Sequence, residues 1–235
     1  MPYIPIYGID FSYIILILPA MIFAFIAQSR VTSTFKKYSK FANVRGLTGA
    51  EVANRMLMAF GVTDVRIEKT NGNLTDHFDP KAKVIRLSES VYDSRSIAAA
   101  GVAAHECGHA MQYLVGYGPI KIRNAIIPVC RIGSSLSMPL ILAGFIFTWQ
   151  PLVDIGILFF GLATIFQLIT LPVEFNASRR ALATLTSSGT LTEEENAQAK
   201  KVLSAAAMTY VAALAVSLVQ LLRLILIFGG GRRRD

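Results

Sequence analysis

The chain has 235 residues, of which 53% are hydrophobic and 16% are charged, and its formal net charge is +8. A soluble domain of this length would spread its apolar residues over a single core, whereas here they are bunched in four long runs. The basic residues lie near the ends of these runs. Cationic loops beside an anionic membrane surface therefore explain the charge, and no nucleic-acid partner is indicated.

The first uncharged run covers residues 11–27 and is about long enough to cross a hydrocarbon layer of about 30 Å. Runs of similar length follow at 132–149, 152–171 and 205–228. A cleaved signal peptide would need a basic leader, and no Lys or Arg precedes Arg30. We predict a mainly α-helical, multi-pass protein of the cell membrane with about four transmembrane helices, forming a single membrane-integrated domain over residues 1–235.

Basic residues determine the predicted orientation of these spans. They follow the first run, precede the second and lie between the third and fourth: Arg30, Lys36, Lys37, Lys40, Arg45, Lys121, Arg123, Arg179, Arg180, Lys200 and Lys201. By the positive-inside rule, residues 30–124 and 172–204 are predicted to be cytoplasmic. Arginines at 232–234 oppose this pattern, so the sequence leaves open whether 205–228 crosses the membrane fully.

The polar region after the first run contains short local signals. Thr48 and Glu51 have the spacing of a capping box, which predicts a helix through about residue 60. Three short segments with strand composition follow at 65–69, 74–78 and 84–88, separated by turn residues. We predict that they form a small antiparallel sheet within an α+β cytoplasmic region.

The next predicted helix carries the sequence HECGH at 105–109. Asp93 or Ser94 is expected to cap this helix, which should end near Gly116. Residues four apart lie on one helix face, so His105 and His109 can offer ring nitrogens to one metal ion. Glu106 beside the first ligand is then in reach of a metal-activated water as general base, the arrangement of zinc hydrolases.

The alternative for HECGH is a pair of histidines on a polar helix surface. Composition alone would produce this pattern with a chance of roughly one in a thousand. The motif is also surrounded by small residues: Ala98, Ala99, Ala100, Gly101, Ala103, Ala104 and Ala110. Such residues allow close helix packing, which would bury the histidines where unpaired polar groups are costly. The metal interpretation is therefore favoured.

A catalytic zinc needs a third protein ligand and an open position for water. The candidates on the predicted cytoplasmic side are His77, on the predicted sheet, and Glu174, just after the third span. Two spans separate HECGH from Glu174, and an even number of crossings returns the chain to the same face. Topology therefore permits Glu174. His77, within DHFD, remains a candidate contact to a metal ligand or to the oxyanion formed during attack, or a simple turn residue.

The segments HECGH, LPVEFNASRRA and LTDHFDPKAKVIRLSESVYDSRSIAAAGVAAHE resemble the YugP-type family of bacterial membrane zinc metallopeptidases over nearly the whole chain. A more distant similarity is to HtpX peptidases, in which the Glu of an E-x-x-x-D motif completes the site. The resemblance implies one Zn²⁺ held by His105, His109 and Glu174, with Glu106 as base. Ser178 stands where that motif has Asp, so a carboxylate bonded to a ligating histidine is not supplied from there.

The resulting hypothesis is a gluzincin-like, membrane-embedded endopeptidase with its active site on the cytoplasmic side. Its substrates would be peptides or proteins, including membrane-associated ones. If 74–78 or 84–88 is an edge strand, a peptide can bind along it in extended form. The alternative is a scaffold or binding protein stabilised by zinc. A transporter is disfavoured because the four runs contain few ionisable residues.

Cys107 and Cys130 are not expected to form a disulfide, and the sequence does not predict an oligomeric state.

Overall fold

The computed structural model describes residues 13–229. Residues 11 and 12 of the first predicted span and the arginines at 232–234 lie outside the described residues. Four helices within 13–229 are long and apolar enough to cross a membrane. They are α1 (Leu18–Tyr38), which continues a π-helical turn at Tyr13–Ile17, α5 (Gly118–Ile146), α6 (Gln150–Ser187) and α7 (Glu193–Phe228). The prediction of a mainly α-helical protein with four such helices is confirmed.

The remaining elements lie between α1 and α5. They are α2 (Gly49–Ala59), β1 (Arg66–Thr70), β2 (His77–Asp79), β3 (Val84–Ser88), α3 (Glu89–Tyr92) and α4 (Ile97–Leu114). The capping box at Thr48 and Glu51 is present with both of its hydrogen bonds, as predicted. Thr192 and Glu195 form the same arrangement before α7.

The sheet is mixed rather than purely antiparallel. Its order is β1-β3-β2, with β3 parallel to β1 and antiparallel to β2. β3 is buried at four of its five positions, so it takes the centre, whereas β1 and β2 keep exposed positions at the edges. The prediction of an antiparallel sheet was therefore wrong for the pairing of β1 with β3. Of the two candidate edge strands, 74–78 overlaps β2, which is an edge, whereas 84–88 corresponds to β3 in the centre.

The helix that carries HECGH begins a few residues later than predicted. Its N-cap is Ser96, whose hydroxyl accepts a hydrogen bond from the amide of Ala99. The hydroxyl of Ser94 instead donates to the hydroxyl oxygen of Ser96 at 3.0 Å and accepts from the amide nitrogen of Ser96 at 3.3 Å. Ser94 is thus occupied in the preceding turn and caps no helix.

The chain divides into two compact units, and the first contains residues 122–171 and 209–229 with the described part of 13–27. Within it α5 and α6 approach closely, because the hydroxyl of Ser137 donates to the carbonyl of Gly156 at 2.8 Å. A Cβ on Gly156 would lie 2.8 Å from the carbonyl oxygen of Ser137, so this contact requires glycine. The second predicted run ended too late: α5 stops at Ile146, and Thr148 adopts a φ of 50° in the turn before α6.

The second unit contains residues 28–121 and 172–208, and its core surrounds α4. Thirteen of the 18 residues of α4 are buried, since its alanines and glycines let neighbouring helices approach. The core includes Val52 and Met56 of α2, Ile85 and Leu87 of β3, Leu185 of α6 and Leu203 of α7. This packing holds the HECGH segment in the interior of the unit.

Candidate metal centre

Three predicted ligands converge between α4 and α6. Oε2 of Glu174 lies 3.2 Å from Nε2 of His105 and 3.6 Å from Nε2 of His109. The ligand atoms of the three residues all lie within 4.8 Å of one another, and they form a group that can hold a metal ion. Glu174 is 3% exposed and His109 is 8% exposed, so the group is largely shielded from solvent.

Two of the ligand separations in this cluster fit zinc. Bonds of about 2.0–2.1 Å in a tetrahedral arrangement place two ligand atoms about 3.3 Å apart. The two distances from Glu174 to the histidines are close to this value. Two imidazoles and one carboxylate are also a donor set that catalytic zinc uses, with the fourth position left for water.

A glycine inside the motif permits α4 and α6 to meet at this point. A Cβ built on Gly108 would lie 2.4 Å from the carbonyl oxygen of Ala177, which is backbone and cannot move independently of α6. Gly108 precedes His109, and Ala177 lies three residues after Glu174. The contact between the two helices therefore brings the carboxylate to the histidines.

A polar network orients the ring of His109. The amide nitrogen of Gln112 donates to the carbonyl of Val173 at 2.7 Å and to the side-chain oxygen of Asn176 at 3.1 Å. The amide oxygen of Gln112 is thereby turned to accept from Nδ1 of His109 at 3.0 Å. With its proton on Nδ1, His109 presents the lone pair of Nε2 towards Glu174, the tautomer that a metal ligand needs.

Ser178 takes the corresponding position at the ring of His105. Its hydroxyl lies 3.0 Å from Nδ1 of His105, on the side of the ring opposite Nε2. The sequence indicated that no carboxylate is available at position 178, and the structure places a neutral hydroxyl there, which can accept a hydrogen bond from Nδ1 of His105. Nε2 of His105 can therefore also present its lone pair to a metal.

Glu106 lies beside the cluster and is 8% exposed. Burial opposes the protonation of His109, but the hydrogen bond and charge of Glu174, together with the charge of Glu106, raise the pKa of His109 overall. Two carboxylates thus create a negative potential at the imidazole of His109. The same negative potential would attract and stabilise a divalent cation.

Two other residues near the motif are not part of the cluster. Cys107 is fully buried, its thiol contacts the carbonyl of Ala53, and burial raises its pKa well above the ordinary value. His77 is exposed on β2, with Nδ1 2.8 Å from the carbonyl oxygen of Thr75 and Nε2 3.4 Å from Arg86. The structure does not bring His77 together with the two motif histidines.

Gln112 and Asn176 were missed by the sequence reasoning. Gln112 follows His109 by three residues on a helix, a spacing at which side chains meet, so this contact had a local signal. Asn176 had none, because its role depends on the approach of α6 to α4. Its side-chain oxygen also accepts from Nε of Arg180 at 2.8 Å, which extends the network.

We expect replacement of Gln112 by Leu to lower zinc affinity about 10- to 100-fold, because partners that orient a ligating histidine have effects of this size. Asn176→Ala, one bond further away, should have a smaller effect in the same direction. Zinc affinity is measured by competition with a fluorescent chelator, and circular dichroism confirms folding. A folded Gln112→Leu protein with unchanged affinity would contradict the orienting role.

The fold and the cluster together define a membrane protein with a candidate zinc centre of the metallopeptidase type. The chain belongs to the family described as "putative neutral zinc metallopeptidase", whose model matches residues 13–229. A protein of Bacillus subtilis (strain 168) named "Putative membrane protease YugP" is 48% identical over 220 residues, covering 94% of this chain and 98% of the relative. No solved structure matches the chain significantly. The predicted family is therefore confirmed.

Proposed function

We propose that this protein is a membrane-embedded zinc endopeptidase in which His105, His109 and Glu174 hold one zinc ion and Glu106 is the general base. The observation that carries the proposal is the convergence of the three ligand atoms on α4 and α6. The family supports zinc and proteolysis, and the residue roles are our inference from the geometry.

When bound, zinc would supply a Lewis acid that activates water and polarises the peptide carbonyl. His105 and His109 present Nε2 because Ser178 and Gln112 engage their Nδ1 atoms. The carboxylate of Glu106 takes a proton from the attacking water and transfers it to the leaving amine. Burial of the cluster excludes bulk water, which strengthens these electrostatic interactions.

A peptide substrate would bind along β2 in our proposal. β2 is an edge strand and packs on α4, where Phe78 meets the ring of Tyr113 edge-on at a centroid distance of 5.5 Å. An extended peptide can pair with such an edge through main-chain hydrogen bonds, which tolerate many side chains. Unfolded segments and segments extracted from the membrane are therefore suitable substrates.

We further propose that the site faces the cytoplasm, because the basic residues that flank the spans lie on the same stretches as the site. Residues 30–124 and 172–204 carry these cations and also contain all four proposed catalytic-site residues. Arg179 and Arg180 contribute to this charge, and Nε of Arg180 donates to the side-chain oxygen of Asn176.

Metal removal tests the proposed function. The purified full chain should contain about one zinc ion per chain and cleave β-casein or a lipid-embedded peptide, and treatment with 1,10-phenanthroline should abolish cleavage until zinc is restored. Zinc is measured by elemental analysis and cleavage by gel electrophoresis. A zinc-free protein that still cleaves would refute the proposal, whereas a zinc-loaded wild type that cleaves neither substrate would favour the scaffold alternative.

A further inference from the structure

The first unit, which contains residues 122–171 and 209–229, has a cavity of about 410 Å³ that the proposed peptidase chemistry does not use. Residues of α5 and α6 form two of its walls, and Tyr210 of α7 contributes to the third. Its volume lies within the range of small-molecule sites, about 300–1,000 Å³. All of its lining residues belong to the unit that holds the apolar segments.

Two arginines on one face of α5 line this cavity. Arg123 and Arg131 are eight residues apart, which corresponds to about 12 Å along a helix. A guanidinium group stays protonated in proteins, so both side chains bring permanent positive charge. The residues of the described chain that line the cavity include no Asp or Glu.

The rest of the lining is amphiphilic. Gln167 and Thr170 of α6 add polar groups, and Ile127 and Phe166 provide apolar walls between the two helices. A free inorganic anion would use the cations but not the apolar walls. A phospholipid uses both, because its phosphate pairs with guanidinium groups while its acyl chain lies on apolar side chains.

We propose that this cavity binds the headgroup of an anionic phospholipid, with Arg123 and Arg131 pairing with its phosphate and net negative charge. Basic pockets between transmembrane helices are suited to such headgroups. Arg131 comes just before the second predicted apolar run, 132–149, so the cations lie near the depth at which a bilayer presents its phosphates. The site is separate in sequence and chemistry from the zinc cluster.

Lipid binding to the full chain in a neutral detergent tests this proposal, with native mass spectrometry as the readout. The probes are dioctanoyl-phosphatidylglycerol, dioctanoyl-phosphatidylcholine and inorganic phosphate. We expect phosphatidylglycerol to bind saturably and more tightly than the other two. Arg123→Gln and Arg131→Gln should each weaken it about fivefold or more, the contribution expected of one cation. Arg131→Lys, which keeps the charge, should retain more of the binding.

Lys121→Gln is the matched control. Lys121 is exposed and lies two residues from Arg123, but it does not line the cavity, so its loss should leave phosphatidylglycerol binding within about twofold. Equal binding of phosphatidylcholine would overturn the requirement for an anionic headgroup, and equal binding of phosphate would overturn the assignment to a lipid. Equal sensitivity to Lys121→Gln and Arg131→Gln would show a diffuse surface effect and also overturn the proposal.

A second measurement does not depend on the variants folding. A photoactivatable phosphatidylglycerol is crosslinked to the wild-type protein, and the labelled peptides are identified by mass spectrometry. Crosslinks within 123–134 or 163–170 would support the proposal. Crosslinks confined to other segments would refute it.

Discussion

Replacement of Glu106 by Gln is expected to lower the rate of peptide cleavage by about 100- to 10,000-fold while leaving zinc content unchanged. General-base catalysis contributes rate factors of this size, and the amide of Gln cannot accept the proton of the attacking water. Gln has nearly the same shape as Glu, so the packing of α4 should be preserved. The two proteins are compared by initial rates on β-casein and by elemental analysis of zinc.

The control for this substitution is Glu194→Gln, which removes an exposed carboxylate in the first turn of α7. Its cleavage rate should equal that of wild type. This comparison also separates the enzyme from the scaffold. A scaffold requires the histidines but not a base beside them, so a zinc-loaded Glu106→Gln protein with full activity would exclude the proposed mechanism.

Replacement of Glu174 by Gln is expected to have the largest effect on zinc itself. Glu174 contacts both histidines and is 3% exposed. Solvent water therefore cannot easily take the place of its anionic oxygen as a ligand. Partners of the ligands alone affect affinity about 10- to 100-fold, and loss of an anionic ligand should exceed that range. Zinc occupancy after dialysis against a weak chelator measures the effect, and activity should fall in parallel.

His77→Ala provides the comparison for the third ligand. His77 was the other candidate in the sequence, and in the structure it contacts Thr75 and Arg86 on the exposed side of β2. Zinc occupancy should therefore stay at the wild-type level in His77→Ala. If His77→Ala loses zinc and Glu174→Gln retains it, the third ligand must be reassigned.

Local patterns accounted for much of the fold. The capping boxes at Thr48 and Thr192 depend only on residues three apart, and the one at Thr48 formed as predicted. The four apolar helices followed from run length, since a membrane-crossing helix needs about 20 apolar residues. The start of α4 was less accurate because Ser94 and Ser96 are both good caps, and only the surrounding turn decides between them.

Strand pairing was not determined by local pattern. The turn residues between the first two predicted strands suggested an antiparallel sheet, yet the chain passes to the far side of β3 before β2 begins. β3 takes the centre because its side chains are buried on both faces, which depends on the helices that cover it. Pairing order is therefore a property of the whole unit.

The sequence by itself determined the membrane class and the HECGH helix, because run length and motif spacing depend only on consecutive residues. The resemblance of its segments to a known family determined the family. Only the tertiary structure showed that Glu174 meets both histidines, that Gln112 and Ser178 contact their Nδ1 atoms, and that Arg123 and Arg131 share a cavity. These contacts join residues on different helices, and they arise where small side chains such as Gly108 let backbones approach. Sequence spacing alone carries no information about that approach.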